Sequence, residues 1–286
     1  MPQLYAVIGN PIEHSRSPLI HHAFAQQLGI KLSYEKIWAP TDGFEEAVNT
    51  FRERGGRGMN VTVPFKLEAF DLAQKHSGRA RRALAANTLV FPESPDDPIF
   101  ADNTDGIGLV NDLAFHGVIL TGKRVLILGA GGATRGVLAP LLEQEPQAIL
   151  IANRNPERAY GLVKEFTNMA GSSSLSGCPL TDIEGTSFDL IINATPASLT
   201  AELPPLPEAT VGAKTVAYDM AYGAKPTVFM QWAEARGARP LDGLGMLVEQ
   251  AAESFALWHG RRPDAAPIRE LLREEIRLAA ERAATD

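Results

Sequence analysis

The sequence predicts an α/β protein made of two strand–helix domains followed by a helical tail. Three observations predict it. Short apolar strands alternate with amphipathic helices from Leu4 to Phe91. The apolar run Arg124 to Leu128, suited to a strand buried on both faces, passes through a glycine-rich turn straight into a second alternation. Beyond residue 245 only helical patterns remain.

The first alternation begins with a strand at Leu4 to Gly9, broken by Asn10-Pro11. Ser17 is placed to cap a helix with Pro18 in its first turn, running through Ile20 and Phe24 to a stop at Gly29. Leu32 to Trp38 reads as a strand. Asp42 is placed to cap a helix through Phe44, Val48 and Phe51, closed by Gly55-Gly56. Met59 to Val63 is a third strand, followed by a helix from Pro64 to about Lys75, and Thr88 to Phe91 is a fourth strand. Ala101 to Gly106 reads as the crossing between domains, and a helix follows through Leu109 and Leu113. In the second alternation the strands are Arg124 to Leu128, Ala148 to Ala152, Asp189 to Asn193 and Thr215 to Tyr218. Helices begin at Pro156 and Thr227, Gly171 to Ser176 reads as a flexible loop, and Leu241 to Gly245 as a turn. Met246 to Trp258 and Pro267 to about Ala284 are the closing helices. The expected domains are 1–104, 105–240 and a tail 241–286 that packs back on the first domain.

Composition bounds the function. The 286 residues are 45% hydrophobic and 21% charged, as in soluble globular proteins. A net charge of −7 gives no basic footprint for nucleic acid. One cysteine, Cys178, excludes an intrachain disulfide, and six scattered histidines show no metal-ligand spacing. No run reaches the ~18 apolar residues of a spanning helix, and the start lacks a signal-peptide pattern. The expectation is a cytoplasmic protein without metal, membrane or nucleic-acid partners.

The glycine turn carries the first chemical signal. Strand, Gly129-Ala130-Gly131-Gly132-Ala133, helix is the start of a dinucleotide-binding βαβ unit, with Thr134 in place of the usual third glycine. Gly129 permits the tight turn, Gly131 lets a pyrophosphate approach the backbone, and the helix N-terminus faces the phosphates. An acid at the end of the second strand would hold an NAD ribose. Here that strand ends in Asn153-Arg154, with Arg158 one helical turn on. Guanidinium groups at that place favour the 2′-phosphate of NADP.

Asn60, Thr62 and Lys66 meet at one strand-to-helix junction. A lysine beside a carboxylate can pass a proton to or from a hydroxyl or carbonyl, and Asp105 is the candidate partner. A lysine at a helix start opposes the helix dipole. On residue physics alone Lys66 reads first as a solvated helix residue, Asp105 as a turn residue, and Ser15 and Ser17 as helix caps.

Motifs over nearly the whole chain resemble the shikimate dehydrogenase family. They are Gly9 to Pro18, Asn60 to Lys66, Asn87-Thr88, Asp102 to Gly106, Gly129 to Ala133, Asn153-Arg154, Tyr218 to Tyr222 and Asp242 to Ala252. The resemblance implies a substrate domain, a Rossmann-like NADP domain and reversible reduction of 3-dehydroshikimate to shikimate. It makes Lys66 and Asp105 the catalytic pair. It places Ser15 and Ser17 on the substrate carboxylate, with Tyr222 on that side. Thr62, Asn87, Asp105 and Gln250 fall on the ring hydroxyls, with Asn60 close by. Gly129 to Ala133 cradle the pyrophosphate, Asn153, Arg154 and Arg158 meet the 2′-phosphate, and Met220 and Gly243 flank the nicotinamide. The loop Asn193 to Leu199 lacks the family's usual serine and glycine, so only Thr195 is carried over there. Leu84-Ala85-Ala86 replaces a glycine-containing approach to Asn87. The family implies a homodimer. Two other readings stay open: an NAD-using quinate/shikimate dehydrogenase, and a non-catalytic NADP-binding regulator on the same scaffold.

Overall fold

The computed structural model describes residues 2–94, 97–183, 185–197 and 202–285. The chain forms two compact units. One holds the residues up to Gly108 together with Val248–Leu272; the other holds Leu109–Leu247 and the residues from Arg273 on. The chain thus passes between units within three helices.

In the first unit the strands are β1 (Gln3–Gly9), β2 (Leu32–Trp38), β3 (Gly56–Val61), β4 (Lys75–His76), β5 (Thr88–Val90) and β6 (Phe100–Asp102). They form one sheet in the order β2-β1-β3-β5-β6-β4. Strand β5 runs antiparallel to both neighbours, and the other pairs are parallel. The helices are α1 (Ser17–Leu28), α2 (Phe44–Glu53), α3 (Lys66–Leu72) and α4 (Gly78–Ala83). Period-two alternation sorts the sheet's faces. Ala6, Ile8, Met59 and Val61 pack with Phe44, Val48 and Phe51 of α2. Tyr5, Val7 and Tyr34 point to the opposite face, where Trp258 stacks on Tyr5 with ring centroids 4.6 Å apart. Phe24 and Phe255 are fully buried and pack edge-to-face at 5.8 Å. Each removes enough apolar area from water for about 2–3 kcal/mol.

The second unit has strands β7 (Arg124–Leu128), β8 (Ala148–Asn153), β9 (Ser174–Pro179), β10 (Leu190–Asn193), β11 (Val216–Asp219) and β12 (Arg239–Asp242). All are parallel, in the order β12-β11-β10-β7-β8-β9. Counted from β7 this is 3-2-1-4-5-6, the dinucleotide-binding order, which reverses beside β7. Helices α6 (Gly132–Leu142), α7 (Pro156–Phe166) and α8 (Val228–Glu234) cover the sheet. Val125 and Ile127 face one core with Val137, Leu141 and Leu162, while Leu126 and Leu128 face another with Phe229 and Ala233. Both-face burial of β7 is therefore met by a layer of helix on each side. Helices α5 (Asp105–Phe115), α9 (Leu244–His259) and α10 (Ala266–Thr285) complete the chain. Among the described residues no helix is long and apolar enough to cross a membrane.

Several local expectations are corrected. Ser17 is the first residue of α1, not its cap; Arg16 takes the cap position, and the Ser17 amide donates to Ser15 Oγ at 3.3 Å. Gly43, not Asp42, precedes α2. The helix from Lys66 stops at Leu72, and Lys75 lies in β4. Residues 174–176 belong to strand β9 rather than a flexible loop, and Leu241-Asp242 close strand β12 rather than open a turn.

Candidate active site

In the first unit the end of β3, the start of α3, the start of β5, the β6–α5 junction and α9 bring polar side chains together. Lys66 opens α3, and its Nζ donates to Asp105 Oδ2 at 2.5 Å. Asn87 Nδ2 donates to the other oxygen, Asp105 Oδ1, at 2.9 Å. Both carboxylate oxygens thus have a protein donor. The Asp105 side chain is 13% exposed and that of Lys66 30%. The pair is shielded yet reachable.

The orientation of Asn87 follows from its partners. The amide of Thr104 donates to Asn87 Oδ1 at 2.9 Å, and a backbone N–H can only donate. The Asn87 NH2 group therefore faces Asp105 and Gln250 Oε1, the latter at 3.1 Å. Gln250 accepts with its oxygen and so turns its own NH2 group the other way. Asn60, in contrast, is 6% exposed and spent on the protein. Its Oδ1 accepts from Tyr34 Oη at 2.7 Å, and its Nδ2 reaches Asn87 O, Thr88 Oγ1 and Ser254 Oγ. Burial raises the Tyr34 hydroxyl well above its usual pKa, keeping it a neutral donor. Ser15 and Ser17 share a hydroxyl contact at 3.3 Å, and Ser17 lies against the Tyr34 hydroxyl. Thr62 is half-buried just past β3. Leu84, in the departure before Asn87, adopts a left-handed φ of 47°, a conformation that favours glycine.

In the second unit the glycine loop lies at the C-terminal end of β7. Gly129 has φ 101°, which requires glycine, and a Cβ there would come 3.1 Å from Ala194 O. Gly131 and Gly132 are different: a Cβ on either would meet nothing. The start of α6 has no side-chain cap, so its first amides are open to an anion. Thr134, at the missing third glycine, is buried and donates to Gly129 O at 2.7 Å, fixing the turn. Asn153 Oδ1 accepts from the Ala130 amide at 3.1 Å, tying the end of β8 to the loop. Arg154 and Arg158 are exposed, and neither forms an ion pair among the described residues. Open glycines, uncapped amides and two unpaired guanidinium groups fit a dinucleotide with an extra phosphate.

Further along the same sheet, Gly243 lies against Met220, whose carbonyl would stand 2.1 Å from an added Cβ. Buried Asp219 accepts from the Ala221 amide at 3.0 Å and from Thr227 Oγ1 at 2.6 Å, holding the turn that carries Met220, Ala221 and Tyr222. Tyr222 is half-buried in the β11–α8 loop. Thr195 is fixed by Asn193 Oδ1 through both its amide and its hydroxyl. Ser198 and Leu199 of that loop lie outside the described residues.

Three family models match the chain in order. They are the shikimate dehydrogenase substrate binding domain at residues 7–89, the shikimate/quinate 5-dehydrogenase model at 113–201, and the shikimate 5′-dehydrogenase C-terminal domain at 243–273. A curated relative from Chromohalobacter salexigens, "shikimate dehydrogenase (NADP(+))", is 54% identical over 95% of this chain and 98% of its own length. The chain belongs to the shikimate dehydrogenase family. Among solved structures, the Ael1 enzyme from Pseudomonas putida superposes with a TM-score of 0.88 at 49% identity, covering 94% of this chain and 98% of that one. Shikimate 5-dehydrogenase from Thermus thermophilus, in complex with NADP(H) and shikimate, has a TM-score of 0.83 at 33% identity, covering 95% and 99%.

Motif reading assigned no role to several residues that support the cluster. Ser254, Thr88 and Thr104 are fully buried hydroxyls behind Asn87. Ser254 lies one helical turn after Gln250, a spacing that could have flagged it. Asp102 accepts from Ser77 Oγ and Arg79 Nη2, each at 2.5 Å. Arg79 also pairs with Glu253 of α9 at 2.9 Å, while Glu249 on the same helix receives Arg262 and Arg269, each at 2.6 Å. This ion network fixes α9 beside the cluster.

Proposed function

We propose that this chain catalyses the reversible, NADP-dependent reduction of 3-dehydroshikimate to shikimate in chorismate and aromatic amino-acid biosynthesis. The observation that carries the reading is the Lys66–Asp105 contact, backed by an Asn87 amide of fixed orientation. The family relatives that bear this activity in their names support it. In this reading NADPH supplies the hydride when bound. Ser15 and Ser17 hold the substrate carboxylate with Tyr222 nearby. Thr62, Asn87, Asp105 and Gln250 take the ring hydroxyls. Asn60 serves from behind, since its amide already has protein partners. Lys66 gives a proton to the carbonyl oxygen as it becomes a hydroxyl, and takes it back in the oxidative direction. Asp105 holds the Lys66 ammonium in line with that oxygen.

Gly129, Ala130, Gly131, Gly132 and Ala133 cradle the pyrophosphate in this reading, and Asn153, Arg154 and Arg158 hold the 2′-phosphate. Thr195, Met220 and Gly243 line the nicotinamide end. Residues 1–104 supply substrate binding, 105–240 NADP binding, and the C-terminal helices support the first domain. We place the enzyme in the cytoplasm as a homodimer, as the family resemblance implies; light scattering of the purified protein tests the dimer.

The test is nicotinamide absorbance with shikimate or quinate, each offered with NADP or NAD. Fast reduction of NADP by shikimate is the expected result. Preference for quinate or NAD overturns the substrate or cofactor assignment. NADP binding without turnover turns the protein into a regulator. Replacing Arg154 and Arg158 together by alanine should raise the NADP KM by roughly 10–100-fold, the value of lost charged hydrogen bonds, and leave the NAD KM within twofold.

A further inference from the structure

Behind Asn87, on the side away from Asp105, lies a closed set of buried hydroxyls. Thr88 Oγ1 donates to Asn87 Oδ1 at 2.9 Å and lies 2.7 Å from Ser254 Oγ. Ser254 Oγ is also 3.0 Å from Asn60 Nδ2, 3.2 Å from Thr104 Oγ1 and 3.0 Å from the Gln250 carbonyl. Thr88, Thr104 and Ser254 have no exposed surface. None of them has a route to a ligand. What they touch does: the Asn87 amide, whose other end meets Asp105 and Gln250.

The chemistry of the set gives it a direction. Asn60 Nδ2 faces the Asn87 carbonyl, which can only accept, so Asn60 presents donors to Thr88 and Ser254. The Ser254 hydroxyl donates to the Gln250 carbonyl at 3.0 Å, and Asn60 Nδ2 supplies the Thr88 oxygen with a hydrogen from behind at 3.2 Å. The Thr88 hydroxyl hydrogen then goes forward to Asn87 Oδ1. That contact and the Thr104 amide keep the oxygen of Asn87 turned inward and its NH2 group turned to Asp105, Gln250 and Thr104 Oγ1, the last at 2.9 Å. If the inward side lost its hydroxyl donor, the amide would be held on that side by one backbone N–H and a weaker Thr104 hydroxyl contact of 3.2 Å.

We infer that Thr88 and Ser254 are positioning residues for the reaction, a buried hydroxyl pair that sets which way the Asn87 amide faces and so prepares the Asp105–Gln250 side for the substrate's ring hydroxyls. The inference rests on the proposed role of Asn87 in holding substrate. It assigns a catalytic consequence to two side chains that touch neither substrate nor cofactor, one from β5 and one from α9, 166 positions apart.

The test is Thr88→Val, which keeps the side-chain shape and removes the hydroxyl. The expected result is a rise of roughly three- to tenfold in the shikimate KM with the NADP KM unchanged, the size of one neutral hydrogen bond. Thr88→Ser, which keeps the hydroxyl and loses the methyl, should restore the KM to within twofold of the parent. In an Asn87→Ala background Thr88→Val should add nothing, because the residue acts through Asn87. An unchanged KM in Thr88→Val, equal damage from Thr88→Ser, or an additive loss on top of Asn87→Ala would each overturn the inference. Should Thr88→Val not fold, Ser254→Ala is read by the same three comparisons, with Ser254→Cys as its conservative partner. If Asn87→Ala itself leaves the shikimate KM untouched, the site assignment fails; if it raises the KM while Thr88→Val does not, only the positioning role fails.

Discussion

The two candidate regions are built in opposite ways. The glycine loop after β7 is made of exposed backbone and missing side chains, and its contacts come from nearby segments: Thr134 on Gly129, and Asn153 on Ala130. The cluster around Lys66 is made of buried side chains held by partners distant in sequence. Asn87 and Gln250 are 163 positions apart, and Asn60 and Ser254 are 194. The difference teaches where function and stability are coupled. In the loop, a ligand can be lost without disturbing the fold. In the cluster, the groups that face substrate are held by the same hydrogen bonds that join β3, β5 and α9.

The largest effect should come from the pair itself. Lys66→Ala should lower kcat by about 10²–10⁴, the usual range for a positioned proton donor, while leaving the NADP dissociation constant within twofold. Asp105→Asn, which keeps the shape and removes the charge that holds the lysine, should lower kcat by roughly 10². Steady-state kinetics with fluorescence titration of the cofactor checks both. Parent-like turnover in Lys66→Ala would remove the lysine from the reaction.

A smaller effect sets the loop against itself. Gly131 has φ −98° and open space where a Cβ would go. Gly131→Ala should therefore leave thermal stability unchanged and weaken NADP by about tenfold, or ~1.4 kcal/mol, because the new methyl occupies the path of the pyrophosphate. Gly129 has φ 101° and a crowded Cβ position. Gly129→Ala should cost about 1–3 kcal/mol of stability, the range for a strained backbone. Calorimetry with and without NADP separates the two. A stability loss in Gly131→Ala equal to that in Gly129→Ala would mean that both glycines serve the fold.

The same contrast explains what the sequence made legible. Strand, glycine turn, helix and the arginines after β8 lie within 35 residues, so spacing alone pointed to them. Strands β9 and β12 escaped because they are sheet edges: β9 is Ser-Leu-Ser-Gly-Cys-Pro, with no apolar period, and β12 carries Pro240, which an edge strand tolerates. Lys66 read individually as a solvated helix residue and Asp105 as a turn residue, paired only as candidates. Only the family resemblance added Asn87 and Gln250 to them, and folding brings the four together through topology that local patterns do not encode. Ser254 escaped both routes, since the only mark a serine inside an apolar helix carries is its spacing of one turn from Gln250.

The smallest effect concerns the interior of the first unit. His21 is fully buried, stacked on Tyr34 at 4.4 Å and packed against Phe255 and Trp258. Neither ring nitrogen has a hydrogen-bond partner among the described residues. Burial lowers its pKa from 6.5 to about 3; the Asn60 side chain opposes the shift, and the nearby His259 and His22 add to it. The sign follows from linkage. Between those values the unfolded chain binds a proton that the folded chain refuses, so acid favours unfolding. The neutral ring's contribution is intact above pH 6.5 and is lost at about 1.4 kcal/mol per pH unit as the pH falls toward 3. His259, also lowered by burial, acts in the same direction. Denaturant unfolding of the parent and His21→Phe between pH 7 and 5 measures this. The parent should lose stability more steeply, by about one proton's worth. Equal slopes would mean that His21 can be protonated without opening the aromatic core, and that the first unit's buried cluster is less tightly coupled to its stability than its packing implies.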